Sequence, residues 1–241
     1  MRAILLSAGL GTRLRPLTDT IPKCLIPIFG TPLLGIWMTR LLNGVGIERV
    51  LVNTHYLSDQ VVEFVKGSPG ADRVDLVFEP TLLGTGGTLV KNREWIGHNP
   101  VLVAHADNLT LFDIPDFLAA HQHRPADCSI TMMTFDTDEP QTCGIIEEID
   151  GVVVRFYEKV SDPPGCRANA AVYIFEPDVI DFIESIGTNC VDISTQVLPH
   201  YLGKMATYHN SVYHRDIGTL KSLDIAHREL SGRSDLGFIN L

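Results

Sequence analysis

No stretch of this 241-residue chain approaches the roughly 20 consecutive apolar residues that a membrane-crossing helix needs, so no membrane partner is expected. Basic charge is scarce as well. Lys and Arg number 19 against 29 Asp and Glu, and the formal net charge of -10 argues against nucleic acid as the main partner, because phosphate backbones select basic surfaces. Cysteine is thinly used: five residues, an odd number without a Cys-x-x-Cys spacing, point to reduced thiols in a cytoplasm rather than to a disulfide framework. The apolar run from Ala3 to Gly11 is too short for the core of a signal peptide, and Arg13 and Arg15 follow it at once. Internal repeats and low-complexity linkers are missing too, so residues 1–241 are expected to form a single domain, long enough to bury a substantial core.

Strand and helix patterns alternate through the first half. Short apolar runs at Ala3–Leu6, Arg49–Asn53, Asp75–Phe78, Val101–Ala104 and Ser129–Met133 read as strands, and helical patterns fall at Pro32–Gly44, Ser58–Lys66, Gly87–Trp95 and Ile114–His121. That order predicts an α/β fold, a Rossmann-like three-layer sandwich around a mainly parallel sheet. The rhythm then changes. Gly144–Ile149 and Val152–Tyr157 flank Asp150-Gly151, a dipeptide favoured in two-residue hairpins, so a small antiparallel excursion makes the sheet mixed. Ala170–Phe175 reads as a further strand, and Pro177–Ile186, Ile193–Tyr201 and Thr219–Leu230 as helices.

The first strand runs into Gly9-Leu10-Gly11-Thr12-Arg13-Leu14-Arg15-Pro16-Leu17-Thr18, with Pro22-Lys23 close behind. Two glycines allow a tight turn whose N–H groups approach a phosphate, and Arg13, Arg15 and Lys23 set cations around it. In an acidic protein such a local concentration of cations marks an anion cradle. Two familiar cradles fail on spacing: a dinucleotide fingerprint needs a third glycine where Leu14 stands, and no Gly-Lys-Ser/Thr of a Walker loop is present. The segment resembles the opening signature of the sugar-nucleotide pyrophosphorylases, the nucleotidyltransferases that join a sugar 1-phosphate to an NTP.

Later segments resemble the same family in order, so that the likeness runs from Arg2 to about Leu230. They are Glu79-Pro80-Thr81-Leu82-Leu83-Gly84-Thr85-Gly86-Gly87, Val101 to Asp107, Cys143-Gly144-Ile145, Phe156 to Lys159, Asn169 to Tyr173, and His214 to Thr219. The resemblance implies that Leu6, Ala8, Gly9, Gly11, Thr12, Glu79, Gly84 and Thr85 meet the nucleotide, and that Gly144, Glu158, Lys159 and Asn169 meet the sugar phosphate. It makes Arg13, Lys23, Asp107 and Asp216 the catalytic set, with Asp107 and Asp216 holding Mg²⁺, an ion commonly bound by one or two carboxylates plus substrate phosphates. Standing alone, Asp216 also reads as a turn or N-cap aspartate, and Glu158-Lys159 as a solvated pair.

Four positions depart from the family pattern: Cys24, Ala106, Val160 and Ala171. Cys24 reads as a small packed residue rather than a nucleophile, and the methyl of Ala106 is expected to crowd the ribose or phosphates. His105 with Asp107 and His214 with Asp216 are spaced to share one face of a strand, where packing and polar contacts are expected rather than a transition-metal site. No hexapeptide repeat follows the core, so the likeness is to short forms without a β-helix. The Leu-Gly-Thr-Gly-Gly loop resembles that of mannose- or heptose-1-phosphate guanylyltransferases. A uridylyl- or thymidylyltransferase, and a non-catalytic nucleotide-sugar sensor, remain as alternatives, and homo-oligomerisation is left open.

Overall fold

The computed structural model describes residues 1–233. Its elements run β1 (Arg2–Leu6), β2 (Pro27–Ile28), β3 (Thr31–Pro32), α1 (Leu33–Asn43), β4 (Arg49–Thr54), α2 (Ser58–Lys66), β5 (Val74–Phe78), α3 (Gly84–Lys91), α4 (Arg93–Ile96), β6 (Val101–His105) and β7 (Asn108–Leu111). They continue with α5 (Ile114–Gln122), β8 (Ile130–Asp136), β9 (Gly144–Ile149), β10 (Val152–Glu158), β11 (Arg167–Phe175), α6 (Pro177–Ser185), β12 (Met205–His209), β13 (Tyr213–Asp216) and α7 (Leu220–Leu230).

One nine-stranded sheet has the order β5-β4-β1-β6-β11-β8-β12-β10-β9. β4 and β6 flank β1 in parallel, β5 extends this run beside β4, and β12 lies parallel to β8. β11 is antiparallel to β6 and β8, and β10 to β12 and β9, so within this sheet β10 and β11 run against the other strands. The expected mixed sheet is therefore present, with its parallel run at β5-β4-β1-β6 and antiparallel β11 set between β6 and β8. Side chains alternate across it: Ala3 and Leu5 join one buried cluster, Ile4 and Leu6 another. The first cluster is covered by α1, α2 and α5 through Trp37, Val61 and Phe117, the second by α3 and α6 through Leu89, Val179 and Ile183. On α1, Leu34, Trp37, Met38 and Leu41 form an i, i+3, i+4, i+7 stripe, each side chain contributing about 1.5–3 kcal/mol by leaving water.

A third cluster decides the site. Leu14 of the glycine-rich loop packs with Ile28, Leu33, Leu111, Ile217 and Leu230, so α1, α7 and a two-stranded β7–β13 ribbon grip that loop from outside the main sheet. α7 is started by a reciprocal capping box between Thr219 and Ser222.

Several elements differ from the sequence expectations. The helix expected at Gly87–Trp95 begins at Gly84 and breaks at Asn92, whose side-chain amide donates to the Thr88 carbonyl at 2.8 Å. Ile193–Tyr201 is a π turn over Ile193–Val197 followed by a tight 3₁₀ turn, where Pro199 has no N–H to continue an α-helix. Strands β7, β12 and β13 were not anticipated. β13 reads Tyr-His-Arg-Asp, with no apolar alternation, and exists because β7 pairs with it along its whole length.

At the far end of the sheet from the site, His121 is 2% exposed, with Nδ1 2.8 Å from Thr131 Oγ1 and Nε2 3.2 Å from Glu176. Burial, assisted by the Arg124 guanidinium, holds this imidazole down to about 4. The unfolded chain therefore takes up a proton from about pH 6.5 downward that the folded chain refuses, so stability is lost as pH falls toward 4, by about 3 kcal/mol from this group. Urea unfolding of wild type and His121→Asn across that window is expected to show the shallower pH slope in the variant; equal slopes would dismiss the assignment.

Candidate active site

The glycine-rich loop is built to hold its cations in place. Gly11 adopts a left-handed conformation with φ 63°, and a side chain there would meet Thr18, whose hydroxyl donates to the Gly11 carbonyl at 2.8 Å. Lys23 is carried by the 3₁₀ turn Lys23–Leu25 into the interior, where it is 7% exposed. Its ammonium donates to Asp107 Oδ2 at 2.5 Å and to Asp216 Oδ1 at 3.2 Å. Arg13 stays largely solvent-facing 3.7 Å from Asp216 Oδ2, while Arg15 turns to Asp19.

The two aspartates meet through the β7–β13 ribbon. Asp107 follows β6 at the carboxyl end of the parallel run, and the antiparallel register sets its neighbour Asn108 opposite Asp216. The indole of Trp37 donates to the Asn108 carbonyl at 2.9 Å, which ties this corner to α1. Burial pushes the Asp107 carboxyl up, but the Lys23 ammonium, with His105 nearby, outweighs it and leaves the acid below its ordinary range. For Lys23, burial pulls down while Asp107 and Asp216 raise, with a net rise. Asp107 Oδ1 is buried and has no partner. An acceptor left in that condition, beside a second carboxylate, fits a divalent cation with substrate oxygens completing its shell.

Two cavities open on this corner. The smaller, about 240 Å³, is lined by Leu6, Ala8, Gly9, Glu79, Gly84 and Thr85 of the expected nucleotide set, with Asn53 and Leu82; Gly11 and Thr12 lie outside its lining. The larger, about 540 Å³, gathers Arg13, Lys23, Asp107 and Asp216 with the whole expected sugar-phosphate set, Gly144, Glu158, Lys159 and Asn169.

Within these linings the roles are less uniform than the motifs suggest. Glu79 is 2% exposed and its carboxylate is engaged internally: Oε1 accepts from Asn53 at 2.9 Å and Thr88 at 2.6 Å, and Oε2 from the Leu83 N–H at 3.4 Å. Asn53 in turn accepts from the Ser7 N–H at 2.7 Å, so this network braces the end of β1 against the loop before α3. The glycines in the first turn of α3 serve packing. A side chain at Gly84 or Gly87 would come within 2.5 Å of the Val191 or Asn189 carbonyl, and Thr85 Oγ1 accepts from the Ile193 N–H at 2.7 Å.

On the sugar side, Gly144 faces Glu158 across the β9–β10 hairpin, and Glu158 pairs with Lys159 at 2.9 Å. Asn169 is oriented from both ends, its amide donating to the Tyr173 hydroxyl at 2.7 Å and its carbonyl accepting from the Ala171 N–H at 2.9 Å. Ala171 sits at φ 52° in a bulge of β11, a conformation costing a residue with a Cβ about 1 kcal/mol.

Ala106 is a correction. Its methyl is fully buried in the first core cluster, on the face away from Leu6 and the nucleotide cavity, so it does not crowd a ligand. Cys24 is 1% exposed with its thiol pushed up to about 12 by burial and the Asp107 charge, which suits packing and not nucleophilic attack. Among the described residues no group of three or more His, Cys, Asp or Glu side chains is placed to hold a metal ion. Sequence reading missed Asn53, Thr88, Phe135 and Ser194, which line or brace the cavities without belonging to any motif quoted for the site.

A sequence profile described as nucleotidyl transferase matches residues 2–232. The chain belongs to that family. Within it, the chain is 34% identical to a mannose-1-phosphate guanylyltransferase of Mycobacterium tuberculosis over 90% of its own length and 61% of that protein. It is 30% identical to a UTP--glucose-1-phosphate uridylyltransferase of Synechocystis over 77% of its length and 51% of the relative. The chain thus spans about half to three fifths of these relatives. Two solved structures share the fold. A protein of Bacillus anthracis described as a glucose-1-phosphate thymidylyltransferase, in complex with a sucrose, superposes with a TM-score of 0.86 at 20% identity, covering 100% of this chain and 99% of that one. HddC of Yersinia pseudotuberculosis, complexed with GMP-PN, gives 0.78 at 24% identity, covering 95% and 99%. No helix among the described residues is long and apolar enough to cross a membrane.

Proposed function

We propose that this chain joins a sugar 1-phosphate to an NTP, releasing pyrophosphate and a nucleotide sugar, with GTP as the preferred nucleotide. The observation that carries the reading is the junction of two cavities at Asp107, with Lys23, Arg13 and Asp216 converging on it. One cavity suits a nucleoside and the other a phosphorylated sugar, so the phosphates of both substrates meet beside buried charge.

In the reaction a phosphate oxygen of the sugar 1-phosphate attacks the α-phosphorus of the NTP in line, and the bond to the β-phosphate oxygen breaks as pyrophosphate leaves. Lys23 and Arg13 bind the phosphates and stabilise the charge gathering on the leaving group. Glu158 and Asn169 orient the sugar through its hydroxyls, Gly144 borders the ring, and Lys159 meets the sugar phosphate. Leu6, Ala8, Gly9, Gly84 and Thr85 border the nucleoside; Gly11 and Thr12 shape the loop around its phosphates, and Glu79 acts through the loops that it braces. Mg²⁺ would be held by Asp107 and Asp216 and would supply charge neutralisation at the phosphate oxygens. We place the reaction in one domain, the expected span 1–241 of which residues 234–241 lie outside the described residues, in a cytoplasmic, reducing setting.

The guanine preference rests on the Leu83-Gly84-Thr85-Gly86-Gly87 loop together with relatives named as guanylyltransferases, such as that of Mycobacterium tuberculosis. The Synechocystis relative keeps a uridylyl alternative alive. With a common accepted sugar 1-phosphate, kcat/KM for GTP is expected to exceed that for UTP or dTTP at least about tenfold, or about 1.4 kcal/mol of transition-state binding. Equal or better use of a pyrimidine triphosphate would overturn the guanylyl assignment and leave the reaction class standing.

A further inference from the structure

His105, named so far only as a neighbour of the Asp107 carboxyl, stands where the two cavities meet: His105 and Asp107 are the residues that line both. The strand explains how it gets there. β6 is parallel to β1 with His105 in register with Leu6, and along β6 Leu102 and Ala104 enter the first core cluster while Val101 and Val103 enter the second, together with Leu6. His105 continues the Val101–Val103 stripe one step past the apolar core and so emerges on the face that carries the nucleotide cavity. The ring is half-buried and makes no hydrogen bond to any other described residue, whereas His214 across the site is satisfied by Thr110 at 2.9 Å. A half-buried imidazole with no hydrogen-bond partner among the described residues, opening on two ligand cavities, is a donor in search of an acceptor.

We propose that His105 is a further catalytic residue, whose ring N–H donates a hydrogen bond to a non-bridging oxygen of the α-phosphoryl group as that group passes from nucleotide to sugar phosphate. This rests on the transferase reading above. The nucleoside cavity and the sugar-phosphate cavity share one seam, and the atom common to both half-reactions is the α-phosphorus. Lys23 and Arg13 approach that seam from the glycine-rich loop, and His105 approaches it from the sheet. Either protonation state of imidazole carries an N–H, so the contact does not depend on titration. The proton stays on His105 throughout: the sugar-phosphate oxygen forms its bond to the α-phosphorus, and pyrophosphate departs with the electron pair of the broken bond.

The test compares His105→Phe, which keeps a ring and removes the donor, with His105→Gln, which keeps a donor. The probe is GTP, or whichever NTP the wild type accepts best, in its two α-phosphorothioate diastereomers. His105→Phe is expected to lower kcat at least about tenfold with KM for both substrates little changed, and His105→Gln to recover part of that loss. The ratio of rates for the two diastereomers should move at least about fivefold in His105→Phe, because one oxygen has lost its donor. Being a ratio within one protein sample, it is independent of how much of the variant is folded. An unchanged ratio, or a His105→Gln as impaired as His105→Phe, overturns the inference while leaving the transferase intact. A wild type that releases no pyrophosphate with any NTP and sugar 1-phosphate overturns the transferase reading and this inference with it.

Discussion

Asp107→Asn and Asp216→Asn are each expected to cut turnover at least about a hundredfold, the scale seen when a group stabilising transition-state charge is removed. Each change keeps the shape of the side chain and takes away the negative charge that balances Lys23 and would hold a divalent cation. The asymmetry of the pair sharpens the expectation. Asp107 presents a buried oxygen with no partner, whereas Asp216 is half-exposed at the end of the β7–β13 ribbon and shared with Arg13. Asp107→Asn should therefore be the more damaging of the two. Pyrophosphate release at saturating NTP and sugar 1-phosphate, with circular dichroism to verify folding, is the direct measurement. Near-normal turnover in both purified variants would remove them from the catalytic centre.

Lys23→Met should produce the largest loss of stability at the site. Methionine matches the length of the aliphatic stem and deletes the ammonium, leaving Asp107 as a buried carboxylate without its counter-charge. Breaking a buried ion pair from one side costs about 3–5 kcal/mol, and the residual exposure of Asp107 places this case near about 3 kcal/mol. Because the same two carboxylates are the candidate metal ligands, Mg²⁺ is expected to raise the melting temperature of Lys23→Met more than that of wild type, where the ammonium competes for them. Equal Mg²⁺ shifts in the two proteins, or a variant as stable as wild type, would show that Lys23 does not neutralise the pair.

Much of the site was legible because its chemistry is written in short segments. The turn at Gly9–Lys23 needs glycine for a left-handed backbone and cations for an anion, and both needs appear as residue types at fixed spacing. Asp107 was readable as a carboxylate at the end of an apolar strand. Where the chemistry depends on which face a side chain takes, reading was weaker. Ala106 was expected among the ligand atoms and instead points into the first core cluster, because the strand's alternation carries one neighbour inward as it carries the other out. Gly84, the first residue of α3, was expected at the nucleotide, and its tightest contacts are with the Val191 backbone, more than a hundred residues later in the chain.

By itself, then, the sequence determined the parallel β/α start, the hairpin at Asp150-Gly151, the glycine-rich turn with its cations and the identity of the charged residues, since each follows from local propensity or from periodicity within about a dozen residues. Tertiary structure alone decided that Asp107 and Asp216 share one ammonium. That meeting depends on β13, a polar strand with no signal of its own, whose hydrogen bonds are satisfied only when β7 lies beside it and whose position is clamped by Leu14, Ile217 and Leu230. The pairing energy of such a ribbon belongs to two distant segments at once, so it is absent from either segment read alone.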